Sequence, residues 1–210
     1  GKKLSDSEYG TGLWENQKLV GVKAPVFSMS KLAGVDTYVG PEMKSTGEVM
    51  GLDSNYESAT TKALIASNMM LPDSGSILLS IADQDKENAI PLINVLHKNS
   101  YKIFATQGTA KLINSLGIPV IEINKRLEDG NPNVVDIIQN STVDAVVNTV
   151  TGDRSVLQDG FHIRRAAVEM RIPCFTSLDT ARTASENISS RSLNYNVKTI
   201  GEYLNNTKQE

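Results

Sequence analysis

The chain has 210 residues, a formal net charge of −3 at pH 7 and a sequence pI of about 5.5. Hydrophobic residues make up 40% and charged residues 21%, which predicts a folded chain with a real core. The slight negative charge excludes a broad nucleic-acid surface, because that needs an excess of Lys and Arg, but it allows a local anion pocket. Cys174 is the single cysteine, so an internal disulfide is excluded and a reducing, cytoplasmic setting is favoured.

No stretch approaches the roughly 18 apolar residues of a membrane helix, so we expect no membrane association. The chain starts with Gly1 and two lysines, and no apolar segment follows, which predicts no secretory signal. The missing initiator methionine indicates either a fragment of a longer protein or the remnant of a tag.

The first fifty residues differ from the rest. Residues 20–27 (VGVKAPVF) predict an extended segment in which Pro25 sits at an edge or bulge, and turns are predicted near residues 10–14 and 34–41. We interpret residues 1–55 as the tail of a larger domain. Residues 57–70 predict a helix that ends before Pro72, so residues 56–73 are expected to be a connecting helix and linker.

Residues 74–210 are predicted to be one domain in which strands and helices alternate. Apolar runs of strand length occur at 77–81, 101–105, 120–123, 145–147 and 174–175. The helices between them are expected to bury Ile90, Ile93 and Leu96; Leu112, Ile113 and Leu116; Ile163, Ala166, Ala167 and Met170; and Leu178, Ala181, Ala184 and Ile188. The alternation predicts an α/β fold: a mostly parallel sheet with helices on both faces, a three-layer Rossmann-type arrangement.

The best candidate for an anion site follows the second strand of this domain. Thr106, Gly108 and Thr109 lead directly into a helix, whose N-terminus offers N–H groups and a positive dipole, and Gly108 permits close approach of the backbone. Simple N-capping by a threonine is the alternative interpretation.

Other strand ends carry matching residues. Asp83 and Lys86 follow the first strand, Asn124 and Lys125 the third, and Asn148, Thr149 and Thr151 the fourth. Because parallel strands end at one edge of a sheet, two ammonium groups and several short polar side chains are predicted to converge there. Taken singly, each lysine is equally consistent with a solvated surface residue.

The remaining candidates are weaker. Arg164 and Arg165 are consistent with an anion clamp or with a helix-surface pair, and His97 and His162 with structural roles. Cys174 lies in an apolar strand and is expected in the core. The sequence has no Walker-type loop, GxGxxG motif or nucleophile elbow, and no metal site is predicted.

Several motifs resemble one enzyme family. The segments VKAPVFSMSKLAGVD (22–36) and GPEMKSTGEVMG (40–51) resemble the end of the carbamoyl-phosphate-forming ATP-grasp unit of carbamoyl-phosphate synthetase large chains. The later segments resemble the methylglyoxal-synthase-like regulatory domain at the C-terminus of that family: DKENAIP, ATQGTA, INK, VVNT, DGFHIRRAAVE and IPCFTSLDTA. The motifs cover essentially the whole chain in the family's order.

The resemblance implies a parent ligase that makes carbamoyl phosphate from bicarbonate, glutamine-derived ammonia and two ATP, for pyrimidine and arginine synthesis. It implies ATP with Mg or Mn as cofactors, and the rest of the large chain and a small glutamine amidotransferase subunit as partners. For this segment it implies no catalytic residues and no cofactor of its own, but a UMP- or IMP-type nucleotide effector. Homo-oligomer formation stays open.

The family's motifs place the effector phosphate at Lys86, Thr106, Thr109, Lys125, Asn148 and Thr149, with Gly108 in the same loop. Val150 stands where some members have a further hydroxyl, which Thr151 could replace. Asp159, Thr176 and Ser177 match positions of a second, ornithine-type effector site. Ala24 replaces a glutamate of ornithine-responsive members, which predicts a weak ornithine response or none.

Two alternatives come from other classes. The fold also hosts methylglyoxal synthase, which eliminates phosphate from dihydroxyacetone phosphate, and the cyclohydrolase that closes the IMP ring. Residues 124–130 (NKRLEDG) lack the Gly-Gly-Asp order of that synthase, although Glu128 and Asp129 are candidate bases. The other alternative is a docking module for oligomer assembly.

Overall fold

The computed structural model describes residues 1–7, 11–13, 18–28, 36–38, 43–125, 132–150, 154–190 and 196–206, with the backbone alone at 154–159, 189–190 and 204–206. The strands are β1 (Val20–Val26), β2 (Gly47–Asp53), β3 (Ser76–Ser80), β4 (Lys102–Thr106), β5 (Ile121–Ile123), β6 (Ala145–Asn148) and β7 (Cys174–Phe175). The α-helices are α1 (Tyr56–Ala66), α2 (Lys86–Lys98), α3 (Gln107–Ser115), α4 (Val134–Gln139), α5 (Arg154–Glu169), α6 (Leu178–Ser190) and α7 (Ile200–Asn206). Short 3₁₀ helices occur at Leu4–Asp6 and Asp83–Asp85.

A five-stranded parallel sheet forms the centre of the fold. Its strand order is β5-β4-β3-β6-β7, and the register places Leu78 of β3 beside Phe104 of β4 and Val146 of β6. Within this sheet, the chain begins at the middle strand, β3, and moves outward through β4 and β5. It then returns to the other side of β3 with β6. The direction of winding therefore reverses between β3 and β6, which is where sheets of this type form a crevice.

Helices cover both faces of the sheet. Ile77 and Leu79 of β3 point to one face, where they pack with α2, α3 and α6, whereas Leu78 points to the other face, where it packs with α4 and α5. All three side chains are fully buried. This alternation follows from the two-residue period of a strand. The predicted three-layer α/β fold is confirmed.

The buried faces of three helices differ in detail from the predicted stripes. In α2, Ala89 is fully buried and Ile90 only half-buried. Leu116 is 37% exposed, because it caps the C-terminus of α3 immediately before Gly117, whose φ of 74° turns the chain away. Met170 is also exposed, because it lies beyond the end of α5.

A two-stranded antiparallel sheet and α1 form the N-terminal part. Strand β1 pairs with β2 along its whole length, and Pro25 lies opposite Glu48 in a sheet that has only edge strands. Helix α1 begins at the N-cap Asn55, whose side chain accepts a hydrogen bond from the Ser58 N–H (2.8 Å). It ends at Ala66, earlier than the predicted residue 70, just before Asn68 adopts a φ of 58°.

Polar contacts join α1 to other parts of the chain. The Thr61 hydroxyl lies 2.9 Å from Oδ1 of Asn187 in α6. The Lys62 ammonium pairs with Asp53 of β2 (2.7 Å) and donates to the Tyr203 hydroxyl of α7 (2.6 Å). The sequence analysis did not predict α7. The domain limits at residues 55 and 73 remain predictions.

A glycine permits the close approach of β2 to α1. A Cβ atom at Gly51 would lie 1.9 Å from the backbone oxygen of Ala59, whereas a Cβ at Gly47 of the same strand would meet nothing within 4 Å. We predict that Gly51→Ala lowers the free energy of unfolding by about 1–3 kcal/mol, because the strand and the helix must move apart. Gly47→Ala should change it by less than about 0.5 kcal/mol. Urea unfolding followed by circular dichroism measures both variants, and equal effects would contradict this account.

Candidate functional site

A cavity of about 550 Å³ lies at the carboxyl ends of β3, β4, β5 and β6. Seven of the predicted effector residues line it: Lys86, Thr106, Gly108, Thr109, Lys125, Asn148 and Thr149. Thr151 lies outside the described residues. The structure thus brings together side chains from four separate segments of the chain, and binding of an effector by them remains a prediction.

Lys86 lies above the start of α3. It is the first residue of α2, and its Nζ is 2.6 Å from Oδ1 of the exposed Asp83. A Cβ atom at Gly108 would be 3.0 Å from this Nζ, so the absence of a side chain at Gly108 leaves room for the ammonium group. One positive charge therefore stands next to the N-terminus of a helix, where the dipole is also positive.

Both lysines act on one carboxylate at the mouth of the cavity. A hydrogen bond from Lys86, together with its charge, lowers the pKa of the Asp83 carboxyl below its ordinary value, and the charge of Lys125 lowers it further. Both lysines also line the same cavity, so an anion bound there would feel both positive charges. An anion that enters the cavity has to compete with Asp83 for Lys86.

Two threonines of the cavity hold the loop that follows β3. The hydroxyl oxygen of Thr109 accepts a hydrogen bond from the Ile81 N–H (3.0 Å), and that of Thr149 accepts one from the Ala82 N–H (2.9 Å). These two bonds fix the loop after β3 to the start of α3 and to the end of β6. The Thr149 hydroxyl keeps its proton for a ligand.

Thr106 occupies the N-cap position of α3, yet its side chain makes no capping hydrogen bond with the described part of the chain. Simple N-capping, the alternative interpretation of this loop, is therefore wrong for Thr106. Thr106 lines the same cavity as the first turn of α3, whose N–H groups lack partners within their own helix.

Asn148 is held from behind by a buried arginine. Its Oδ1 accepts a hydrogen bond from Nη1 of Arg164 (2.8 Å), and its Nδ2 donates to the Ser80 oxygen (3.4 Å). Arg164 has no solvent exposure and forms a two-pronged ion pair with Asp36, with distances of 2.8 and 2.6 Å. The interpretation as a surface pair is wrong for Arg164, whereas Arg165 does form an ion pair at the surface with Glu169 (2.7 Å).

The sequence contained a signal for the burial of Arg164. Gly160, Ile163, Arg164 and Ala167 recur at three- and four-residue spacing, so the arginine lies inside the apolar stripe of α5. Its partner Asp36 is 128 residues away in sequence, and no local pattern connects the two.

Two of the three candidate residues for a second effector, Thr176 and Ser177, lie at another cavity. This cavity, of about 510 Å³, is lined by Ala24 of β1, by the Ser67–Met69 segment after α1, and by Thr176 and Ser177 after β7. Asp159 lies in α5, where only the backbone is described. Thr176 and Ser177 also line a third cavity, of about 620 Å³, which reaches Thr149 at the first cavity.

The weaker candidates do not form a further site. His97 and His162 are both exposed, His97 in α2 and His162 in α5. Burial raises the pKa of the Cys174 thiol to about 12, so the thiol stays protonated at neutral pH. Within the described ranges, the His, Cys, Asp and Glu residues form no group of three suited to a metal ion, and no helix has the length and apolar character to cross a bilayer.

The fold and the cavity at the strand ends define the class of this domain. Residues 88–176 match the MGS-like domain family. The chain therefore contains an MGS-like domain, and the matched residues include β4, β5, β6 and β7 of the parallel sheet.

The relationship extends beyond this domain. Over 203 residues, or 97% of the chain, the sequence is 44% identical to the carbamoyl phosphate synthase large chain of Thermomicrobium roseum. The chain covers 19% of that relative's length. These matches confirm the resemblance drawn from the motifs: almost the whole chain is similar to part of a carbamoyl phosphate synthase large chain.

The pKa of the Asp83 carboxyl depends on the positions of both lysines. We predict that its pKa lies below its ordinary value and rises in Lys86→Met and, by less, in Lys125→Met, because each variant removes a neighbouring positive charge. Lys98→Met, at the opposite end of α2, should leave the pKa unchanged. Carbon-13 NMR titration of the side-chain carboxyl measures it. An Asp83 pKa insensitive to Lys86→Met would show that the ammonium lies elsewhere in solution.

Proposed function

We propose that this chain is a regulatory part of a carbamoyl phosphate synthase large chain and binds a UMP- or IMP-type nucleotide through its phosphate. One observation carries the proposal: Lys86, Lys125 and Asn148, from separate strand ends, line a single cavity. The similarity to the large chain of Thermomicrobium roseum and the MGS-like domain support it.

The charge and the donors of the cavity suit a phosphate monoester. Such a group carries a charge of about −1.5 to −2 at pH 7, which the ammonium groups of Lys86 and Lys125 balance. The N–H groups at the start of α3, the Asn148 amide and the Thr149 hydroxyl supply neutral hydrogen bonds. When a phosphate binds, it replaces the Asp83 carboxylate as the partner of Lys86.

The parent enzyme is proposed to be an ATP-dependent ligase that forms carbamoyl phosphate from bicarbonate, glutamine-derived ammonia and ATP. Its partners would be the rest of the large chain and a glutamine amidotransferase subunit, and its product would serve pyrimidine and arginine synthesis. ATP with Mg or Mn would act in the catalytic units of that enzyme. We assign no catalytic step to the present segment.

Regulation requires that the effector distinguishes two arrangements of the enzyme. A ligand shifts such an equilibrium only by the difference between its affinities for the two states. Here the cavity is connected through Asn148 and Arg164 to Asp36, which precedes β2 in the N-terminal part of the chain. Binding at the strand ends is therefore proposed to change how the N-terminal part docks.

Calorimetric titration of the 210-residue chain with UMP and with IMP tests the proposal. We predict saturable binding of at least one nucleotide. Lys86→Met and Lys125→Met should each weaken it by at least about tenfold, because a charged hydrogen bond to the phosphate is lost. Lys98→Met removes the same charge from the other end of α2 and should bind as the unmodified chain does.

Absence of saturable binding to both nucleotides in a folded sample would refute the effector function. A colorimetric assay for methylglyoxal, with dihydroxyacetone phosphate as substrate, tests the enzyme alternative. We expect no turnover, and measurable turnover would favour the phosphate-eliminating enzyme. Glu128 and Asp129, the candidate bases of that alternative, lie outside the described residues.

The cavity beside β1 suits a weak amine ligand at best. Ala24 contributes a methyl group where ornithine-responsive members of the family have a carboxylate, and apolar side chains such as Phe27, Leu64 and Phe175 make up much of the wall. An ammonium group placed there would lose water without gaining an opposite charge from this position. We therefore propose that the chain responds weakly to ornithine or not at all.

A single substitution tests this proposal. We predict that Ala24→Glu creates saturable ornithine binding, because the new carboxylate would face Thr176 and Ser177 across a partly dehydrated cavity. Ala24→Gln adds a similar volume without the charge and serves as the matched control. Calorimetry with ornithine measures all three chains. Tight binding by the unmodified chain, or equal binding by the two variants, would contradict the proposal.

A further inference from the structure

Arg164 makes three directed hydrogen bonds while fully buried. Its Nη1 donates to Asn148 Oδ1 (2.8 Å), and its Nε and Nη2 donate to the two carboxylate oxygens of Asp36 (2.8 and 2.6 Å). Arg164 itself is 0% exposed and is absent from the lining of the anion cavity, whereas Asn148 lines that cavity. The guanidinium therefore stands behind the cavity wall, between the wall and the N-terminal part of the chain.

The bond to Arg164 determines which way the Asn148 amide faces. A guanidinium only donates hydrogen bonds, so the amide oxygen has to face Arg164 and the NH₂ group the opposite side. One N–H of that group is directed at the backbone carbonyl oxygen of Ser80, at the long distance of 3.4 Å. Because Ser80 also lines the cavity, the NH₂ group is presented on the cavity side as a donor for an anion.

Gly160 provides the space for this contact. It precedes Arg164 by one helical turn in α5, and a Cβ atom at Gly160 would lie 2.4 Å from Nη1 of Arg164 and 3.1 Å from Oδ1 of Asn148. Any side chain at Gly160 would therefore displace the guanidinium or the amide. The glycine allows the bond without contributing a polar group to it.

Asp36 fixes the other side of the guanidinium. Its Oδ1 also accepts a hydrogen bond from the Tyr38 N–H (3.0 Å), and the Tyr38 ring lies 5.9 Å from the guanidinium carbon. Although burial alone would raise the pKa of the Asp36 carboxyl, hydrogen bonds from Arg164 and Tyr38 lower it below its ordinary value. The carboxylate is therefore ionised at neutral pH and pairs with Arg164.

We propose that Arg164 is a positioning residue of the anion cavity: it orients the Asn148 amide toward the ligand and links ligand binding to the Asp36 ion pair. This inference rests on the proposed function and names the route by which that cavity reaches the N-terminal part. When a ligand shifts the Asn148 amide, the guanidinium bonded to it shifts as well. The position of that guanidinium is also determined by Asp36, so the shift reaches the ion pair.

The first test uses the unmodified 210-residue chain and inorganic phosphate. The Nε–H of Arg164 points to Asp36 and away from Asn148, and its burial slows exchange with water. Titration with phosphate should shift the Arg164 Nε–H resonance in nitrogen-15 NMR spectra, with the same midpoint as the Asn148 side-chain resonances. The Arg165 Nε–H, which is paired with Glu169 on the same helix, should not shift.

The second test uses matched variants. Arg164→Lys keeps the charge but loses the fork of donors, and Gly160→Ala leaves every charge in place while it removes the space for Nη1. Each should weaken phosphate and nucleotide binding on the order of 2–10-fold, the effect of losing one hydrogen bond. Arg165→Lys and Glu169→Gln, which alter the surface ion pair of the same helix, should bind as the unmodified chain does.

The outcomes separate this inference from the proposed function. If UMP and IMP fail to bind but phosphate binds and moves the Arg164 resonance, the nucleotide function fails and the positioning role stands. A stationary Arg164 resonance at saturating phosphate overturns the positioning role, and so do unchanged affinities in folded Arg164→Lys and Gly160→Ala. If phosphate also fails to bind, both are overturned. Where a variant does not fold, the resonance in the unmodified chain decides.

Discussion

The parallel alignment of β3, β4, β5 and β6 is the constraint on which the candidate site depends. Parallel strands end at the same edge, so the residues that follow them are collected there whatever their separation in sequence. Reversal of winding between β3 and β6 opens a crevice at that edge, and the hydroxyl groups of Thr109 and Thr149 fix the intervening loop by accepting hydrogen bonds from the N–H groups of Ile81 and Ala82. These two N–H groups would otherwise lack partners, and residues that line the cavity supply them. The same hydrogen bonds therefore determine both the position of the loop and the shape of the cavity.

A buried guanidinium is costly unless its charge is balanced and its donors are used. Arg164 meets this requirement with groups from two regions, a carboxylate before β2 and an amide at the end of β6. Asp36 accepts hydrogen bonds from Nε and Nη2 of the guanidinium, and Asn148 accepts one from Nη1, so both partners are needed to use these three donors. The association of the N-terminal part with the parallel sheet and the orientation of the Asn148 amide therefore depend on the same charge. Another tie between these regions, the hydrogen bond between the Thr61 hydroxyl and Asn187, involves neutral groups.

The sequence predicted the fold well because the alternating apolar runs fix strands and helices by their periods alone. Residues at helix ends were harder: Leu116 continues the helical period, yet Gly117 turns the chain and exposes it. The cavity-lining residues were found because strand ends share an edge. The surface interpretation is wrong for Arg164: charge favours exposure, but the position of Arg164 within the stripe of Ile163 and Ala167 indicates burial. Asp36 and α7 could not be placed, since both depend on contacts between distant parts of the chain.

The cavity contains a built-in competitor, which bears on how an effector acts. Asp83 already neutralises part of the charge of Lys86, so an incoming phosphate gains only the difference between its own pairing and that of the carboxylate. Because Asp83 is almost fully exposed, its release to water costs little, and the exchange favours a group with more charge and more acceptors. The discriminating contact is then the one that Asp83 does not make, at Asn148. Asn148 is also hydrogen-bonded to Arg164, which pairs with Asp36 of the N-terminal part. The binding energy that distinguishes a ligand from Asp83 therefore arises at the residue that is linked to the N-terminal part.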